Sequence, residues 1–438
     1  MKKTVVLWSA VCSLFLLSAC DTSQNETASQ ESTEQTTVTS QENKDILATG
    51  NWYKTNREAL DQLILANGKK SSSYDAKNKP YAIFDWDNTS IINDVGEAVL
   101  NYQIENLRFK MAPAEFYNAL KTDIPDEDFS DDWKNQTGET VNIEKVATDI
   151  QNSYEFLYDH YKEFDGDQSL DTVKKTDEYK EFSTKLRYLY DAIGDTFSPD
   201  ISYPWVTYLF SGMTSEEVQK LSTEAIDKAS KQELNDTTWT SPKDMDSEAG
   251  QIKITFHNGI RLVPEMQDLY TKLQNNGIDV YVVSASFIDV IIPFATNDKY
   301  KYKIPEENVY AMELEKKDNI IQAKYNDDYF QTQGTGKTKT IKKFIASEHN
   351  DQDPILVAGD SSGDVAMLSD FDNLQLGLIF NRVKDGEIGE LSKKATENTD
   401  KSGKGYYLQG RDENKGQLIN KQETILFGEK EAALLIGQ

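Results

Sequence analysis

The sequence predicts an α/β protein: a parallel-sheet core carrying a second, mostly helical body inserted after its first strand. Three observations predict it. Apolar runs at Tyr81 to Phe84, Ile278 to Val283 and Ile355 to Ala358 each end in polar residues, as buried parallel strands do when their ends face a crevice. Between the first two runs, Pro264 to Asn276 places Met266, Leu269, Tyr270 and Leu273 at helical spacing and stops at Gly277, giving the strand-helix-strand alternation of a parallel sheet. Residues 90–254 are far too many for a connection and must fold as a body of their own.

The first run delivers Asp85-Trp86-Asp87-Asn88-Thr89 into a turn. Side chains two apart on a strand share a face, so both carboxylates can meet one ligand. Two like charges side by side are unfavourable unless a cation joins them, and a hard divalent ion such as Mg²⁺ takes oxygen ligands. Turn chemistry at Asp, Asn and Thr is the plainer reading of the same residues.

The inserted stretch reads as helices at Gly96–Lys110, Ile143–Phe164, Asp177–Ala192 and Ser215–Lys231, the last opened by a capping pattern at Thr214. The second strand ends at Ser284. Gly336-Lys337 opens a helix with Ile341, Phe344 and Ile345 on one face, and the third strand runs into Gly359-Asp360-Ser361-Ser362-Gly363-Asp364. Lys339 competes with Lys337 as the cation, but Lys337 keeps the apolar residues four and seven positions on, along one face. Val309–Glu313 and Leu374–Phe380 read as further strands, and residues 383–438 as a polar tail of unassigned role. Gly334 to Thr338 lacks the leading glycine and strand of a nucleotide-binding loop. Asp165 to Ser169 lacks the glycine of a calcium loop.

Taken together, Asp-x-Asp-x-Thr, Ser284, Lys337 and Gly-Asp-x-x-x-Asp resemble the four motifs of the haloacid dehalogenase superfamily of phosphatases, in the family's order. The resemblance implies a Rossmann-like core, formed by 46–89 and 255–438, with a helical cap at 90–254. It implies that Asp85 is a nucleophile forming an aspartyl-phosphate and that Asp87 is the general acid and base. Thr89, Ser284 and Lys337 would bind phosphate. The Mg²⁺ cofactor would be held by Asp85, the Asp87 backbone carbonyl and Asp360, with Asp364 orienting the shell.

The cap placement resembles both phosphoserine phosphatases and bacterial phosphorylcholine phosphatases. Asp94, nine residues past the first Asp, stands where the serine enzymes place an acid for the substrate ammonium, with Glu97 one turn on. The inserted body has only Arg108 and Arg187 to read a carboxylate, yet it is crowded with rings such as Trp133, Tyr154, Tyr188, Tyr190, Tyr203, Trp205 and Tyr208. Aromatic faces bind quaternary ammonium groups at about 0.5–2 kcal/mol per contact. The expected substrate is therefore a small phosphomonoester resembling phosphocholine. Phosphoserine, or a non-catalytic surface lipoprotein on the same fold, is the alternative.

The N-terminus reads as a targeting segment, with Lys2 and Lys3, an apolar stretch too short to span a bilayer, and Leu17-Ser18-Ala19-Cys20. The last four resemble a bacterial lipobox, which implies lipidation at Cys20, a signal peptide at 1–20 and a cell-membrane anchor on the extracytoplasmic face. Residues 21–45 are rich in Ser, Thr, Gln and Glu, a disordered linker. Beyond Cys20 there is no cysteine, so no disulfide supports the domain. A net charge of −27 argues against nucleic acid or a bare anionic membrane as partner.

Overall fold

The computed structural model describes residues 46–397 and 405–437. The leader at 1–20, lipidation at Cys20 and the linker at 21–45 lie outside them. Six strands, β1 (Tyr81–Phe84), β2 (Asp279–Phe287), β3 (Val309–Met312), β4 (Leu356–Gly359), β5 (Leu376–Phe380) and β6 (Gly405–Gln409), form one sheet in the order β6-β5-β4-β1-β2-β3. Every pairing is parallel. The α/β expectation, with a parallel core and a large helical insertion after the first motif, is borne out.

Alternation along each strand builds two cores. Ala82 and Phe84 of β1 join Val280 and Val282, Leu356 and Ala358, and Leu376, Leu378 and Phe380 on one face. Tyr81, Ile83, Tyr281, Val283, Val357 and Ile379 fill the other. A sheet buried on both faces explains why these runs are continuously apolar. Because the first strand in the chain is flanked by β2 and β4, the strand order reverses at β1. The crevice of such a sheet opens at that point, beyond the carboxyl ends of the strands.

The inserted body has a separate core. It is built by the outer face of α1 (Val95–Glu105), through Leu100 and Ile104, by α2 (Ile143–His160), by α3 (Asp177–Thr196) and by Trp205 of α4 (Pro199–Thr207). The inner face of α1, Val95 and Val99, belongs to the sheet's core. One helix therefore ties the two bodies together. The sequence reading placed Ser215–Lys231 in the insertion, but α5 (Ser215–Ala229) buries Val218, Leu221, Ala225 and Ile226 against the sheet's core. Its apolar stripe has the ordinary 3–4 spacing, which fixes that a face is buried and not which partner covers it.

The tail is an integral part of the fold. After the helix Gly386–Glu397, β6 completes the sheet edge, and Arg411–Asp412, Gln417–Leu418, Thr424–Ile425 and Ala432–Ala433 form a small four-stranded sheet. These two-residue strands are too short to show alternation and so leave no periodic signal.

Candidate active site

The turn after β1 is shaped by the residue between its aspartates. Trp86 is fully buried and packs edge-on against Phe294 and Tyr302, with centroids 5.3 and 4.9 Å away. That anchor turns Asp85 and Asp87 to the opposite side, toward a cavity of about 150 Å³. Asn88 follows with φ of 60°, a left-handed conformation that asparagine tolerates better than most residues.

The three strand ends meet here. From β1 come Asp85 and Asp87, from β2 Ser284 and Ser286, and from the turn after β4 Asp360, all lining the cavity together with Lys337. Asp85, Asp360 and Asp364 are buried, with carboxylate oxygens within 4.8 Å of one another. Burial raises the Asp85 pKa well above the usual carboxylate range, the neighbouring Asp364 adds to the rise, and Lys337 opposes it. The Lys337 ammonium lies 2.5 Å from Asp85 Oδ1 and 2.7 Å from Asp364 Oδ1. Burial alone would lower its pKa, but the two carboxylates raise it. Lys339 is exposed and takes no part.

The Asp364 carboxylate has its remaining oxygen occupied. Its Oδ2 accepts from the backbone of Asp360 and Ser361, each at 3.0 Å, so it orients the turn. This close approach also explains Gly359, where a Cβ would stand 2.5 Å from the Asp364 Cβ. The three buried carboxylates outnumber the two cations that touch them, Lys337 and Arg382, and the donors are all oxygen, which suits a hard divalent cation.

Asp87 is held differently. Its Oδ1 accepts from the Val95 amide at the start of α1 and its Oδ2 from Ser286, both at 2.6 Å. Burial raises its pKa well above the ordinary value, Asp94 adds to this, and the two hydrogen bonds resist it. Ser284 accepts from the Ser286 amide at 3.1 Å, leaving its own proton available to donate. The pairing of β2 with β3 slips between Val283 and Phe287, and such a bulge re-aims side chains beside a site.

Two expectations change. Thr89, read as a phosphate contact, is buried and does not line the cavity; its hydroxyl donates to Asp360 Oδ1 at 3.1 Å. The i, i+4 displacement from Asp85 carries it past the turn and under the Asp360 loop. Glu97, read with Asp94 as a head-group contact, faces a neighbouring cavity and pairs with buried Arg187 at 2.9 Å. Burial pushes its carboxyl up to about 7, against the pull of Arg187. Asp94 caps α1 by accepting from the Glu97 amide and does line the main cavity. Burial raises its pKa. Of the rings singled out in the sequence, Tyr190 and Tyr203 line that cavity, beside Phe210 and Phe287. Tyr154, Tyr188 and Trp205 are core of the inserted body.

Sequence reading missed Ser286, Arg382, Lys384 and Arg411. Arg382 donates to Asp360 Oδ2 at 3.0 Å, and Lys384 lines the same cavity. Arg411 holds Asn88. A signal existed: Ser286 shares a strand face with Ser284, and Arg382 and Arg411 each stand two residues beyond the end of a sheet strand, where ligands gather.

No protein-family model matches the chain. It is 25% identical over 343 residues to phosphorylcholine phosphatase of Pseudomonas aeruginosa, covering 71% of this chain and 74% of that one. A solved structure of a conserved protein of unknown function from Anaerococcus prevotii superposes with a TM-score of 0.82 at 37% identity, over 89% of this chain and 100% of that one. The convergence of the motif residues on one crevice agrees with the resemblance to the haloacid dehalogenase superfamily drawn from the sequence, and the relative that is 25% identical is itself named a phosphatase.

Proposed function

We propose that this enzyme is a Mg²⁺-dependent phosphomonoesterase that works through a phosphoryl group carried on Asp85 and prefers a small cationic ester of the phosphocholine type. The observation that carries the proposal is one cavity lined by two chemically unlike sets of groups. One set is Asp85, Asp87, Ser284, Lys337 and Asp360; the other is Asp94, Tyr190 and Tyr203.

Asp85 and Asp360, with the Asp87 carbonyl, would hold the Mg²⁺, which when bound supplies positive charge against the phosphate oxygens. Lys337 and the Ser284 hydroxyl address the same oxygens. A carboxylate oxygen of Asp85 attacks phosphorus as the bond from phosphorus to the alcohol oxygen breaks. Asp87, whose carboxyl pKa burial raises, gives its proton to the departing oxygen. As a carboxylate it then takes a proton from water, whose oxygen attacks the same phosphorus, releasing inorganic phosphate and restoring Asp85. The inserted body over the crevice limits competing water during these steps.

In the same cavity, Asp94 supplies charge and the tyrosines supply ring faces for a quaternary ammonium group. Tyr190 is set in place by Arg187, whose guanidinium lies 4.9 Å from the ring centre. Phosphoserine is the second reading, because Lys384 lines the cavity and could read a carboxylate. A panel of phosphomonoesters assayed with Mg²⁺ and after chelation separates these. The proposal expects metal-dependent hydrolysis, phosphocholine first, and competitive inhibition by choline. Faster hydrolysis of phosphoserine with no effect of choline would replace the substrate, and hydrolysis of no ester would remove the function.

A further inference from the structure

We infer that the C-terminal small sheet is a working part of the active site and that Arg411 is a positioning residue for the turn carrying Asp85 and Asp87. The inference rests on the phosphatase reading. Arg411 is 1% exposed. Its Nη1 donates to the Asn88 carbonyl and its Nη2 to Asn88 Oδ1, both at 3.1 Å. A planar guanidinium can make these two bonds at once, whereas an ammonium cannot hold the same fork. Glu413 fixes the guanidinium in turn, accepting from Nε at 3.0 Å and Nη2 at 2.6 Å, while its other oxygen accepts from the Phe427 amide at 3.1 Å.

The gripped residue matters because of its backbone. Asn88 sits at φ of 60°, and rotation about that bond swings the Asp87–Asn88 peptide plane. That plane carries the Asp87 carbonyl, one of the oxygens assigned to the cation. Holding Asn88 by both its carbonyl and its side chain therefore aims an oxygen at the metal position from a distance.

The same small sheet grips the opposite side of the cluster. The Arg411 amide donates to Thr424 Oγ1 at 3.1 Å, and Thr424 donates to the Asn381 carbonyl at 2.7 Å. Asn381 Oδ1 accepts from the Val383 amide at 2.8 Å. Val383 has φ of 52°, a costly conformation for a β-branched residue. That turn sends Arg382 to Asp360. One element thus braces the turns bearing Asp85 and Asp360 together.

The test is Arg411→Lys in the full chain, alone and combined with Asn88→Gly. Glycine keeps the left-handed backbone accessible while deleting the Oδ1 contact. Arg411→Lys is expected to lower kcat about 10- to 100-fold with KM nearly unchanged, and to weaken Mg²⁺ or Mn²⁺ binding, read by calorimetric titration without substrate, by about 10-fold. If both residues act through one contact, the double variant is no worse than Arg411→Lys. Wild-type kcat and metal affinity in Arg411→Lys, or losses that simply multiply in the double variant, would overturn the inference. Should Arg411→Lys not fold, Asn88→Gly alone decides: weaker metal binding supports it and unchanged binding refutes it. Because the titration needs no turnover, a wild type that binds metal but hydrolyses no ester would fail the function and leave the Arg411 test standing.

Discussion

Two buried lysines, each set between carboxylates, do opposite jobs in this molecule. In the inserted body, Lys185 lies 2.6 Å from Asp149 and also bonds Glu181 and Ser247. Asp149 is then completed by the amides of Glu248 and Ala249 at 2.8 and 2.9 Å. In the crevice, Lys337 lies between Asp85 and Asp364, but a third carboxylate, Asp360, stands beside them and the group opens on a cavity. Each cluster holds one more carboxylate than cation, since Arg382 also binds Asp360; the first is closed within the core of the inserted body, whereas the second opens to a ligand. Residue type and burial are shared. What separates a strut from a site is the open face.

Substitutions at matching positions should diverge accordingly. The largest effect expected is Asp85→Asn, which removes the proposed nucleophile: hydrolysis should fall to background. Folding stability in metal-free buffer should hold or rise, because burial and Asp364 already disfavour the Asp85 carboxylate. Thermal melts and activity on the same sample check both, and a loss of stability with activity retained would erase the distinction. Lys185→Met should do the reverse. Removing one partner of a buried pair costs about 3–5 kcal/mol, seen as a lowered denaturation midpoint, while the folded fraction keeps its kcat. A stable Lys185→Met protein with impaired turnover would make the inner cluster part of the chemistry.

A smaller effect is expected at Asp94, which lines the cavity. Asp94→Asn should raise KM for phosphocholine about 10- to 100-fold, the scale of one charge-assisted contact. KM for an uncharged aryl phosphate should barely move, since the lost attraction acts on the head group alone. An equal rise for both esters would assign Asp94 to capping α1 and nothing more.

The catalytic floor was legible in the sequence because its chemistry is local. Asp85 and Asp87 share a strand face, Lys337 begins an apolar-faced helix, and Asp360 and Asp364 flank a glycine turn. Each signal spans a few residues, and strand ends of a parallel sheet converge by rule. Residues that reach the site across long chain separations were not legible. Arg411 meets Asn88 over 323 positions, and no periodicity announces such a contact. The rings failed for another reason: an aromatic residue fills a core or a ligand wall with equal ease. Only packing shows that Tyr154 and Trp205 belong inside the inserted body while Tyr190 and Tyr203 face the cavity.

In the proposed mechanism Asp85 takes the phosphoryl group and Asp87 helps to release it. The most direct measurement is mass spectrometry of Asp87→Asn after brief exposure to phosphocholine and Mg²⁺ and rapid acid quench. Slowed hydrolysis of the intermediate should leave a phosphate adduct on the peptide containing Asp85, absent when Asp85 is also replaced by Asn. An adduct on another residue, or none at any time point while the wild type hydrolyses the same ester, would contradict the account.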